Sequence, residues 1–92
     1  MKLNEVVSQL DEIEDRFGIY LKDELNIDSD VELIDQEGPR YTVVVKDGTT
    51  YVYLLEIFIA KEIVEDWLAT IDYVPGNKEI AQRVFEYGVN DA

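Results

Sequence analysis

The chain has 92 residues, 47% of them hydrophobic, with 21 acids against 8 bases, no His and a formal charge of −13. That length suits one domain with a modest core, and no apolar run approaches the roughly 18 uncharged residues that a membrane span needs. The charge argues against binding nucleic acid or anionic lipid, both of which are held by Lys and Arg, and it favours encounter with basic surfaces.

The first pattern is helical. Leu3, Val6, Val7, Leu10, Ile13, Phe17, Tyr20, Leu21 and Leu25 recur at threes and fours, which predicts one amphipathic helix over 3–25. Asn4 is placed to cap it, and Glu5 stands in the first turn, where the dipole favours an anion. Gly18 interrupts the stripe. Glu5, Asp11, Glu12, Asp15 and Asp23 fall on the opposite face, together with Lys22 and Ile19.

The next stretch, DELNIDSDVELIDQEG over 23–38, holds seven acids and no base: Asp23, Glu24, Asp28, Asp30, Glu32, Asp35 and Glu37. Counted from Asn26, oxygen-bearing side chains fall at EF-hand spacing, through Asp28, Asp30, Glu32 and Glu37. The position that needs Gly for the sharp turn is Val31, however, and turn and strand residues follow instead of an exit helix. No metal or other cofactor is therefore expected. If the segment is extended, Asp28, Asp30 and Glu32 share one face at about 6.6 Å spacing, on the scale of successive phosphates in a nucleic-acid strand. Asp23, Glu24, Asp35 and Glu37 would continue that row. The competing reading is a solvated edge strand guarded by charge.

Three antiparallel strands are expected over 31–55. Val31–Asp35 is the first, Gly38-Pro39 is a turn signal, and Lys46-Asp47-Gly48-Thr49 predicts a two-residue type I′ hairpin. Its register sets Lys46 opposite Thr49, Val44 opposite Tyr51, Val43 opposite Val52 and Thr42 opposite Tyr53. Tyr41, Val43, Val45, Val52 and Leu54 then share the face assigned to the core. Thr42, Val44, Tyr51 and Tyr53 share the other. Tyr51 and Tyr53 are candidate partner contacts, because Tyr is enriched at interface hot spots. Cover by the third helix or cross-strand pairing would also account for them.

From about residue 55 the period changes to near 3.6, and Ile57, Ala60, Ile63, Val64, Trp67, Leu68 and Ile71 predict a second helix to about Thr70. Its stripe assigns Trp67 to the core. Asn77 is placed to cap a third helix, with Ile80, Ala81, Val84 and Phe85 inward and Gly88 near its end. The expected fold is a single α+β domain over 1–92: an N-terminal helix, a three-stranded antiparallel sheet and two C-terminal helices.

The chemistry-bearing residues are sparse. There is no Cys and no His, the only serines are Ser8 and Ser29, and the five glycines are scattered and form no phosphate loop. With 21 acids, chance carboxylate pairs carry no information. An enzyme is not expected. Helix, three strands and helix is also the layout of double-stranded RNA-binding domains, but the helix that would meet phosphates carries Glu56, Glu62, Glu65 and Asp66 against Lys61. Without a signal-like apolar run after a basic start, or Cys to oxidise, a cytoplasmic location is expected.

Solubility of a small domain is served by a net charge of magnitude about 2–8, so a charge of −13 points to a use. The acidic stretch 23–38, the KDGT hairpin and the acidic helix around KEIVEDW together resemble small phage-encoded inhibitors. The layout is similar to some anti-CRISPR proteins, and the charge to anti-restriction DNA mimics. That resemblance implies a non-catalytic inhibitor, acting in the host cytoplasm, whose acids fill the basic DNA-binding cleft of a defence nuclease or other DNA-binding protein. The rival expectation is an acidic interaction or assembly module, antitoxin-like or homodimeric through Tyr51 and Tyr53.

Overall fold

The computed structural model describes residues 1–35 and 42–90. The order is α1 (Leu3–Ser8), a 3₁₀ turn (Leu10–Glu12), β1 (Phe17–Lys22), β2 (Val31–Asp35), β3 (Val43–Lys46), β4 (Thr49–Glu56), α2 (Ile57–Leu68) and α3 (Asn77–Asn90). The α+β class is as expected, but the sheet has four antiparallel strands, in the order β2-β1-β4-β3.

The fourth strand comes out of the expected first helix. Helix α1 starts at Leu3, with Lys2 and not Asn4 as its N-cap, and the Lys2 N–H donates to the Glu5 carboxylate at 2.9 Å. It stops at Ser8, whose Oγ donates back to the Glu5 carbonyl at 2.6 Å, and the 3₁₀ turn follows. Phe17–Lys22 is then a central strand in which Gly18, Ile19, Tyr20 and Leu21 are all buried. A strand covered on both faces reads as an unbroken apolar run, and such a run also satisfies threes and fours. Ile19, expected on an outer face, is fully buried.

Strand β4 carries a bulge. Ile19 pairs with Leu55 and Tyr20 with Tyr53, so Leu54 is the extra residue. A bulge re-aims the side chains around it, and Leu54 and Leu55 both enter the core with Leu3, Val6, Leu21 and Val84. Helix α3 lies close over this point: a Cβ on Gly88 would stand 2.6 Å from Leu54 Cδ1. Gly88 is thus inside the helix as a contact residue and does not end it.

The hairpin forms in the expected register. Asp47 and Gly48 have φ of 52° and 78°, the left-handed pair that a type I′ turn requires. The expected core face is corrected in part. Leu54 is buried and Val52 half-buried, but Val43 and Val45 are 51% and 69% exposed. The helices pack on β1 and β4, and the hairpin tip extends past them. Tyr41 and the Gly38-Pro39 turn lie outside the described residues.

On the face away from α3, Glu32, Tyr20 and Tyr53 stand in one cross-strand row. Tyr20 is 2% exposed and meets the Tyr53 ring edge-on at 5.6 Å. Helix α2 ends at Leu68. Trp67, assigned to the core, is half-buried, with the Arg83 guanidinium over its ring at 5.2 Å. Among the described residues no helix is long and apolar enough to cross a membrane.

Candidate partner-binding surface

The acidic stretch does not form the row its alternation predicts. Strand β2 begins only at Val31, so Asp28 and Asp30 precede it. Asp28 lies in a turn closed by its own N–H donating to Asn26 Oδ1 at 2.9 Å, the short-range bond that Asn favours over extended chain. Asp23 has a φ of 67° and donates its N–H to the Thr50 carbonyl at 2.8 Å. Glu24 lies in the same exposed bend. Glu32 and Asp35 lie on opposite faces of β2, since they are three positions apart and side chains alternate. Glu37 is outside the described residues.

Three of these acids are already matched to bases. Lys2 Nζ donates to the Asp28 carbonyl at 2.7 Å and lies 3.0 Å from Asp30 Oδ1. The hydrogen bond from Lys2 to the Asp30 carboxylate, and the charge of Lys2, hold that carboxyl below its ordinary value. Lys46 Nζ is 2.6 Å from Glu32 Oε1, and this contact raises Lys46 above the ordinary lysine value. Arg16 reaches Asp35 at 3.2 Å and Glu14 at 2.7 Å.

Tyr51 and Tyr53 are half-buried. Helix α3 does not cover them, since its close approach to β4 is on the Leu54 side. Tyr53 instead packs on Tyr20 and donates its hydroxyl to the buried Glu56 carboxylate. Its polar end is turned toward the protein.

A different group of acids is left to solvent. Asp11 and Glu12 on the 3₁₀ turn and Glu62, Glu65 and Asp66 on α2 are exposed, and among the described residues no ion pair involves them. Lys61 and Glu65, four apart on one helix, could pair. Lys61 instead turns away, donating to the Ile13 carbonyl and to Asp15 Oδ1, both at 2.7 Å. The α2 acids also oppose helix stability. Glu62 has like charges three and four residues on, at Glu65 and Asp66. Those two stand near the C-terminal end, where the dipole is negative and no base is present.

Beside this bank runs a groove of about 670 Å³ between the end of α1, the 3₁₀ turn and α2. Val7, Leu10, Val64, Leu68 and Ile80 line it with apolar side chains, and Asp11, Glu12 and Glu65 line it with carboxylates. The sequence carries a signal for the bank, in the acids of KEIVEDW. The groove depends on where α1 stops.

No family model, curated protein or solved structure matches the chain.

Proposed function

We propose that this protein is a non-catalytic inhibitor that occupies the Lys/Arg-lined, phosphate-binding cleft of a nucleic-acid-handling protein, with a host defence nuclease as the target class. One observation carries the reading: Asp11, Glu12 and Glu65 line one groove, Glu62 and Asp66 are exposed on the same helix as Glu65, and among the described residues none of the five is in an ion pair. Carboxylates kept in mutual repulsion, and against a helix dipole, lower stability and favour a basic partner. Such a partner gains charge-assisted hydrogen bonds and fast encounter. Asp23, Glu24 and Asp28 add a second exposed acidic patch. Asp30, Glu32 and Asp35 contribute less, because their charge is matched inside the chain.

The test is capture of the target from host extract on the immobilised protein, followed by displacement with duplex DNA and a salt series. Displacement by DNA, and steep loss of binding between low and moderate salt, are expected. A partner retained under excess DNA with no salt dependence overturns the reading.

A further inference from the structure

We infer that the groove between the 3₁₀ turn and α2 receives a basic amphipathic helix of the partner, a deeper reading of the same surface that rests on the protein being an acidic binder. Charge alone would need only a carboxylate bank. Here carboxylates and apolar side chains together line a groove of about 670 Å³, and Leu68 among them remains 40% exposed. An exposed Leu beside a recess, in a chain of charge −13, offers desolvation that a phosphate-like surface would not need.

The charges select the occupant. Asp11, Glu12 and Glu65, which also line the groove, favour Lys or Arg flanking the inserted side chains. Lys61, the cation that also lines the groove, has its ammonium bound to Ile13 and Asp15, so it does not offset these carboxylates. A second copy of this chain would bring Glu62, Glu65 and Asp66 against the same acids, and is disfavoured by repulsion. Anionic lipid and nucleic acid are disfavoured for the same reason. The groove lies beside helices, not along an open strand edge, so the fitting element is a helix with apolar anchors at i, i+3, i+4 and i+7. Lysines beside those anchors would reach the carboxylates.

The experiment uses two synthetic Leu/Lys peptides of identical composition and about four helical turns, one with apolar residues at helical spacing and one scrambled. Binding to the whole protein is measured by calorimetry and mapped by amide NMR. The amphipathic peptide is expected to bind at least about tenfold more tightly. Its shifts should centre on Val7, Leu10, Val64, Leu68 and Ile80. Leu68→Ser, at a site exposed enough to leave the fold intact, should remove about tenfold of that affinity. Equal binding of both peptides with no effect of Leu68→Ser overturns the groove inference and leaves the inhibitor reading standing. Binding of neither peptide, or a groove already filled by self-association, also overturns it. The inhibitor reading is judged separately by displacement with DNA.

Discussion

Lys46 and Glu32 stand on opposite edges of the sheet, yet the Lys46 ammonium lies 2.6 Å from Glu32 Oε1. Strands are about 4.8 Å apart, so both side chains extend across the face that carries Tyr20 and Tyr53. The charge that alternation assigned to a partner is used to span the protein's own sheet.

Glu32→Gln should therefore lower the Lys46 pKa toward its ordinary value. The pair raises Lys46 because Glu32 accepts its hydrogen bond and attracts its charge. A raised folded-state lysine stabilises below the unfolded value, and that contribution is lost as pH rises through the folded value. Neutral stability should change little, because exposed pairs contribute little. Side-chain NMR titration of Lys46 in both proteins reads this directly. An unchanged titration would show that the contact does not persist in solution.

Gly88→Ala should destabilise the domain even though Ala is the better helix former by about 1 kcal/mol. The new Cβ would meet Leu54 Cδ1 at 2.6 Å, Cγ at 2.7 Å and the Leu54 carbonyl at 3.1 Å. Leu54 is buried at the bulge, so it has little room to yield. Overpacking of this kind costs about 1–3 kcal/mol, read as a lower urea midpoint. Gly88→Ala should cost less in a Leu54→Ala background, where the clash is relieved. Additive losses would place the strain elsewhere.

The Tyr73 phenol should ionise above its ordinary value. Its hydroxyl donates to Glu79, and that bond, reinforced by burial and the Glu79 charge, favours the neutral form. The raised folded value means that the contact stabilises below the unfolded tyrosine pKa and is lost as pH rises through the folded one. Glu79→Gln should bring the value back down. Difference titration of phenolate absorbance against Tyr73→Phe isolates this residue. An unshifted Tyr73 would count against the contact.

The hairpin was legible because Asp47-Gly48 between β-branched runs admits one turn and one register. Helix α3 was legible because its apolar residues cover a single side. Strand β1 was not, since a doubly covered Phe17–Leu21 satisfies the helical count, and only Gly18 beside aromatic and β-branched neighbours argued otherwise. Losing β1 concealed the end of α1, and with it the groove. The alternation of Asp28, Asp30 and Glu32 misled because the Asn26 side chain bends the chain before β2 and because Lys2 and Lys46 arrive from distant parts of the sequence. Local pattern cannot supply such pairings.

The final prediction separates the two acidic regions. Glu65→Gln with Asp66→Asn should stabilise the domain by about 0.3–1 kcal/mol per site at low salt, because both acids oppose the α2 dipole. The gain should shrink as salt screens the charges. The same change should weaken binding to the basic target and flatten the dependence of log affinity on log salt, since fewer carboxylates meet the partner. Asp30→Asn with Glu32→Gln should do neither. It frees Lys2 and Lys46 from their intramolecular partners and should leave the salt slope nearly unchanged. A pair of substitutions that raises stability while lowering affinity marks residues kept for recognition and not for folding. If the α2 pair leaves affinity intact and the Asp30 and Glu32 pair abolishes it, the recognition surface lies on the β1–β2 side, and the bank beside α2 loses its role.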